Sequence, residues 1–399
     1  MPSLRTATAP VVDWIARPDR QRLDRYVALA ITVVFASLYV LGKEGRILFY
    51  FICLLPMVLY LRPAVIREVS GNWYWRLSIA LCALWLVSIA WSGDSATWES
   101  VYDAGRIGIQ LAVFTTAAIA VAVRGHLQER RLLDCIAMAA GITGAVVLAL
   151  AWHPMMYWEG TRLSGFGWAI HPGIGGDIYA FAGLVALVRV MDDSDRRRRI
   201  LAAAVVAVCF TFVVLSESRG SVLALLGGLM ALGLVRKPWM ILGVLGATAG
   251  VAVLASALGA IDFGQWIARG PTHRVDIWQQ TLARILAHPL LGAGAAAPLE
   301  VASHNSAHNI FLSVQYNMGV PGSLLFLALT LLAFGHGWTL ARRGQPLYFT
   351  LLAFGYAVML THTQTVFIEL SREWLIFWLP IVLLSGKPGQ PALGRAAPA

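Results

Sequence analysis

Residues 200–235 read ILAAAVVAVCFTFVVLSESRGSVLALLGGLMALGLV. Two apolar runs, near 200–215 and 221–235, meet at the turn Ser216-Glu217-Ser218-Arg219-Gly220-Ser221. About twenty apolar residues cross a bilayer as a helix. A helix also satisfies its own backbone polar groups, which lipid demands. The stretch therefore predicts a helical hairpin in a membrane, with one arginine held at its turn. Composition agrees. A soluble domain carries roughly 25% charged residues. This chain of 399 residues is 13% charged and 58% hydrophobic, with mean hydropathy +0.68.

Similar runs recur on both sides, near 26–42, 47–61, 77–91, 107–123, 132–152 and 173–190, then 239–258, 319–340, 346–362 and 374–386. The expected fold is an all-α polytopic membrane protein of about twelve transmembrane helices. Nine fall in 1–258. A large loop with short helices follows at 259–318, then three more spans in 319–386. The tail 387–399, KPGQPALGRAAPA, reads as disordered. The first twenty-five residues are polar and arginine-containing. The apolar run after them has no small-residue cleavage site, so it is expected to stay as a span.

Charge sets the orientation. With the N-terminus in the cytoplasm, most Lys and Arg residues fall on inner connections, among them Arg62, Arg124, Arg130, Arg131, Arg196 to Arg199, Arg236 and Arg342. The outer side keeps Lys43, Arg46, Arg106, Arg162, Arg219, Arg269, Arg274, Arg284 and Arg372. This positive-inside pattern places both termini in the cytoplasm. It places the loops 153–172 and 259–318, with the SESRGS turn, outside. The net charge of +10 sits in these short clusters, so it serves orientation and does not point to nucleic acid. Cys53, Cys82, Cys135 and Cys209 lie singly in apolar runs and read as buried hydrophobes. The glycine clusters at 173–176, 227–228 and 243–250 read as helix-packing sites.

The outer arginines serve no orientation and call for another use. Arginine is always charged and offers a planar fork of donors suited to phosphate and diphosphate. Arg162, Arg219, Arg269 and Arg274 converging on one cavity would form an anion site. Held singly, they would instead anchor lipid headgroups or pair with Glu159, Glu217, Asp262 or Asp276. Arg219 is the sharpest case, because a short turn between two helices restrains it and an ionisable group at that depth is unfavourable unless used. His308 precedes Asn309 at the start of an amphipathic stretch, HNIFLSVQYNMG. A neutral imidazole can take a proton from a hydroxyl, and a neighbouring amide can orient a substrate. His304 and His308 at helical spacing, with His273, make only a weak zinc pattern, since Ser303 and Asn305 are poor ligands. Asp193-Ser194-Asp195 imitates a metal-binding D-x-D but sits in a short inner connector beside four arginines. No Walker A loop, dinucleotide fingerprint or GxSxG elbow occurs.

Taken in order, these residues resemble the O-antigen ligase and O-antigen polymerase superfamily. The resemblance rests on Ser218-Arg219-Gly220 between two spans, then Arg274 with Trp278. After these come Pro289-Leu290-Leu291-Gly292-Ala293-Gly294, His308-Asn309 before a helix, and the turn Gly319 to Gly322. Arg162, Gly165 and Pro172 match an earlier loop, with His171 where an Asn is common. The resemblance implies a GT-C-like glycosyltransferase of the bacterial inner membrane with its site on the periplasmic side. The donor it implies is an undecaprenyl-diphosphate-linked glycan. The acceptor is a sugar hydroxyl of the lipid A core in ligases, or another lipid-linked repeat in polymerases. It implies inversion, no metal and no cofactor. On this reading Arg219, Arg274 and His308 are catalytic. Arg162, Arg269, Trp278, Asn309, Glu217 and His171 bind substrate, and the partners are the two lipid-borne substrates and membrane lipids. A single major outer loop late in the chain favours a ligase over a polymerase. A transporter of an anionic lipid-linked substrate is the third possibility, but it calls for polar residues at mid-membrane, whereas these collect at the outer edge.

Overall fold

The computed structural model describes residues 20–42, 44–93, 96–158, 162–236, 238–259, 264, 274–301 and 306–389. Among the described residues the chain is all-α apart from a two-strand ribbon, β1 (Tyr157–Trp158) against β2 (Arg162–Leu163). Six helices among the described residues precede the ribbon: α1 (Arg20–Ser37), α2 (Glu44–Tyr60), α3 (Pro63–Val69), α4 (Trp73–Ser88), α5 (Trp98–Val123) and α6 (Glu129–Ala149). Four follow it: α7 (Pro172–Asp192), α8 (Arg196–Leu215), α9 (Arg219–Val235) and α10 (Pro238–Ala257). The last four are α11 (Arg274–Ala287), α12 (Ile310–Arg342), α13 (Leu347–Thr361) and α14 (Trp374–Ser385).

Every apolar run named from the sequence lies on a helix. Fewer of those helices are long enough to cross a bilayer by themselves. Among the described residues, seven meet both length and apolarity, or eight if α2 and α3, bent by 88° at their junction, count as one span. The remaining apolar helices include α9, α13 and α14, which are shorter, so length and composition leave the expected count of about twelve open. α9 has 17 residues and α13 has 15, so at about 1.5 Å per residue they reach about 25 Å and about 22 Å, short of a core about 30 Å thick. The α2–α3 bend also has a local cause. Arg62 is extended and Pro63 opens α3, and a residue before proline is disfavoured in the helical region.

α7 is the pillar of the fold. It is buried over almost its whole length and packs against α6, α8, α9 and α13. α14 is buried at every residue, from Trp374 to Ser385. The outside is the apolar part: Leu223, Met230, Leu234, Leu242 and Val253 are all more than half exposed. Such a surface suits lipid rather than water.

One break organises the loop between α10 and α12. α12 is kinked at Gly319, whose φ of 59° and ψ of −155° leave the helical region. The segment Pro289–Gly294 docks into that break. Ala293 N–H donates to the Tyr316 carbonyl at 2.6 Å, and Val320 N–H donates to the Leu290 carbonyl at 3.0 Å. A Cβ at Gly319 would sit 2.2 Å from the Leu290 carbonyl oxygen, so only glycine fits. The P-x-x-G-x-G element and Gly319 are two halves of one joint.

Candidate active site

Four helices begin around one cavity of about 630 Å³. α7 contributes His171, Gly173 and Ile174, and α9 contributes Ser218, Arg219 and Gly220. α11 contributes Arg274 and Trp278, and His308 stands just before α12. Helix starts expose backbone N–H groups and the positive end of the helix dipole, so their convergence favours an anion. Three of these starts, those of α7, α9 and α12, are fixed locally. His171 Nδ1 accepts from Gly173 N–H at 3.2 Å. Ser218 Oγ accepts from Ser221 N–H at 3.4 Å. Asn309 Oδ1 accepts from Phe311 and Leu312 N–H at 3.0 and 3.3 Å. These are N-cap bonds, each worth about 1 kcal/mol.

The lining is cationic. Arg162, Arg219, Arg274 and Arg372 face it, against the single carboxylate of Glu217. At the opposite end of the bundle several arginines pair with acids. Arg124 pairs with Asp24 and Glu68, Arg189 with Asp134, and Arg130 with Asp193, all at 2.7–2.8 Å. A larger cavity of about 700 Å³ between α6, α7 and α8 sits among those matched charges, so its size confers no anion preference. In the smaller cavity, burial lowers the pKa of Arg274, and the neighbouring Arg219 and Arg372 lower it further. Burial likewise lowers His171, helped by Arg162, Arg372 and His362. In both cases burial is the larger cause and the neighbouring cations add to it.

The cavity rests on a buried polar network. Asp177, fully buried on α7, accepts from Ser221 Oγ at 2.7 Å, from His362 Nε2 at 2.6 Å and from Arg372 Nη1 at 2.7 Å. Arg372 also donates to Glu373 Oε1 at 2.9 Å and to the His362 carbonyl at 2.8 Å. Gly220 allows the His362 ring to approach, since a Cβ there would lie 2.5 Å from His362 Nδ1. His362 and Arg372 both line the cavity, so this network sets its floor.

The structure gathers Arg162, His171, Glu217, Arg219, Arg274, Trp278 and His308 around the one cavity. Arg162 reaches it from β2, with Nε donating to the Ser216 carbonyl at 3.1 Å. Glu217 and His308 both hold left-handed backbone, at φ 48° and 47°. Such conformations are rare outside glycine and collect at functional sites. The buried Trp278 indole N–H meets no acceptor among the described residues and remains a donor for a ligand. Asn309 is not in the lining. Its side chain caps α12 and reaches the Leu360 carbonyl at 3.4 Å, so its placement suits holding His308 rather than contacting a sugar. Arg269, the zinc-pattern residues His273 and His304, and most of the tail lie outside the described residues. Asp195 caps α8 through Arg197 N–H at 2.8 Å, which gives the D-x-D look-alike a structural job.

Sequence reasoning left Asp177, His362 and Glu373 unnamed, and noted Arg372 only as an outer cation. The signal was present. A lone carboxylate inside an apolar helix is unfavourable unless partnered, and Asp177 is such a residue.

Among the described residues no group of three or more His, Cys, Asp or Glu side chains is placed to hold a metal. Comparison with known proteins places residues 204–327 on the family model described as O-antigen ligase. That segment carries Arg219, Arg274, Trp278 and His308. A Pseudomonas aeruginosa protein named O-antigen ligase is 28% identical, with 84% of this chain and 84% of that protein covered. Both findings bear out the superfamily resemblance drawn from the motifs.

Proposed function

We propose that this chain, similar to O-antigen ligases across its core, moves a glycan from undecaprenyl diphosphate to a sugar hydroxyl of the lipid A core. The carrying observation is the convergence of four guanidiniums and His308 on one cavity ringed by helix starts. Diphosphate is already a good leaving group, so the main task is to hold its charge. Fixed donors aimed at developing charge do this without reorganising. Arg219 and Arg274, assisted by Arg162, hold the diphosphate, and Trp278 and Glu217 border the same space. His308 takes the acceptor proton as that oxygen attacks the anomeric carbon. The new C–O bond forms while the bond to diphosphate breaks, and its electron pair leaves on the phosphate oxygen. A single displacement inverts the anomeric centre.

On this reading the cavity faces the periplasm and the chain sits in the inner membrane. Deleting the gene and running the lipopolysaccharide on a gel tests the assignment. Loss of the long-chain ladder, with lipid-linked polymer accumulating, is the expected result. A core bearing one repeat only would identify a polymerase instead. A ladder unchanged from wild type would rule out the proposal.

A further inference from the structure

The segment Pro289–Gly294 takes no part in the first cavity, yet it builds a second. Docked against the α12 kink, it closes one side of a cleft of about 590 Å³ at the far end of α11. Trp91 and Tyr316 supply aromatic surface, while Arg284, His288 and Glu300 supply polar groups. Both aromatic side chains are pinned. Trp91 Nε1–H donates to the Leu291 carbonyl at 3.1 Å, and the Tyr316 hydroxyl donates to the Pro298 carbonyl at 2.8 Å. Ala296 N–H donates to Ser92 Oγ at 3.0 Å, which ties the loop to the end of α4.

The charge differs from that of the first cavity. One arginine and one glutamate line the cleft, and no ion pair of Arg284 or Glu300 occurs among the described residues. Balanced charge, fixed aromatic faces and mixed donors and acceptors suit a neutral polyhydroxylated ligand better than a phosphate. The position fits as well. Arg284 lies ten residues beyond Arg274 on α11, about 15 Å at 1.5 Å per residue. Tyr316 lies on the helix that follows His308.

We propose that this cleft binds a glycan segment whose reacting end lies in the first cavity. The glycan is either the lipid-linked polymer or the acceptor oligosaccharide. The inference rests on the glycan-transfer reading of that first cavity.

The test uses the full-length protein in nanodiscs and two probes. These are core oligosaccharide and O-polysaccharide, each released from lipopolysaccharide by mild acid. Wild type is expected to bind one of them, and Arg284→Ala/Glu300→Gln to bind it about tenfold more weakly. Both substituted residues are exposed, so folding should survive. The responding probe assigns the cleft to acceptor or polymer. Unchanged binding of both probes by the double variant, or no binding of either by wild type, overturns the proposal. Binding is read here without turnover. The transfer reading fails separately, through the gel result above.

Discussion

Asp177 holds Arg372 across 195 positions of sequence, with Oδ2 accepting from Nη1 at 2.7 Å inside the bundle. The same oxygen takes the His362 ring N–H at 2.6 Å. One carboxylate thereby fixes two cavity residues from the loop between α13 and α14 onto α7.

Removing that carboxylate leaves the buried Arg372 with Glu373 as its remaining carboxylate partner. Loss of one partner of a buried pair costs about 3–5 kcal/mol. Asp177→Ala is therefore expected to lower the thermal midpoint markedly in detergent or nanodiscs, and Asp177→Asn, which keeps an acceptor, to lower it less. A midpoint equal to wild type for the alanine variant would mean that the network does not hold the floor.

The arginines are argued to act as forks rather than point charges. Arg219→Lys and Arg274→Lys keep the charge and lose the bidentate geometry. With charge-assisted bonds worth about 1.5–3 kcal/mol each, kcat/KM for the lipid-linked donor should fall roughly 10- to 150-fold. Kinetics matching wild type for both lysine variants would reduce the sites to charge alone.

His171 gives a pH dependence of definite sign. Burial, then Arg162, Arg372 and His362, set its pKa below the usual histidine value, which is about 6.5. Below that value the unfolded chain binds a proton that the folded chain does not. Stability from this group is therefore full above about pH 6.5 and declines as pH falls toward the lowered folded value. Thermal midpoints from about pH 7 to about pH 5 should fall more steeply in wild type than in His171→Gln. Parallel slopes would remove His171 from the account.

Four guanidiniums already stand where the diphosphate is proposed to lie. Transfer by the purified protein is accordingly expected to continue in EDTA. Activity lost on chelation and restored by Mg²⁺ would contradict that expectation.

Much of this was legible in the chain, and the reason is physical. Apolar runs between polar turns mark helices whatever their neighbours do, so each named run is helical. Length against the bilayer is a separate matter, and α9 and α13 are apolar yet shorter than eighteen residues. Arg219 stood out because it interrupts apolar sequence at a turn, and Arg274 and His308 because they belong to the one long polar stretch between apolar runs. The floor of the cavity did not stand out. His362 and Arg372 reach Asp177 across 185 and 195 residues, and no local pattern encodes a contact at that separation. The P-x-x-G-x-G element was visible as a motif, yet its job appears only once Gly319 is seen breaking α12.

The most direct measurement is the rate of glycan transfer by purified His308→Ala, with donor affinity measured on the same protein. The cavity places His308 among the arginines. A fall in kcat of about 10²–10⁴, the scale of general-base catalysis, with donor affinity and thermal midpoint near wild type, is the predicted result. Transfer at the wild-type rate would contradict the account.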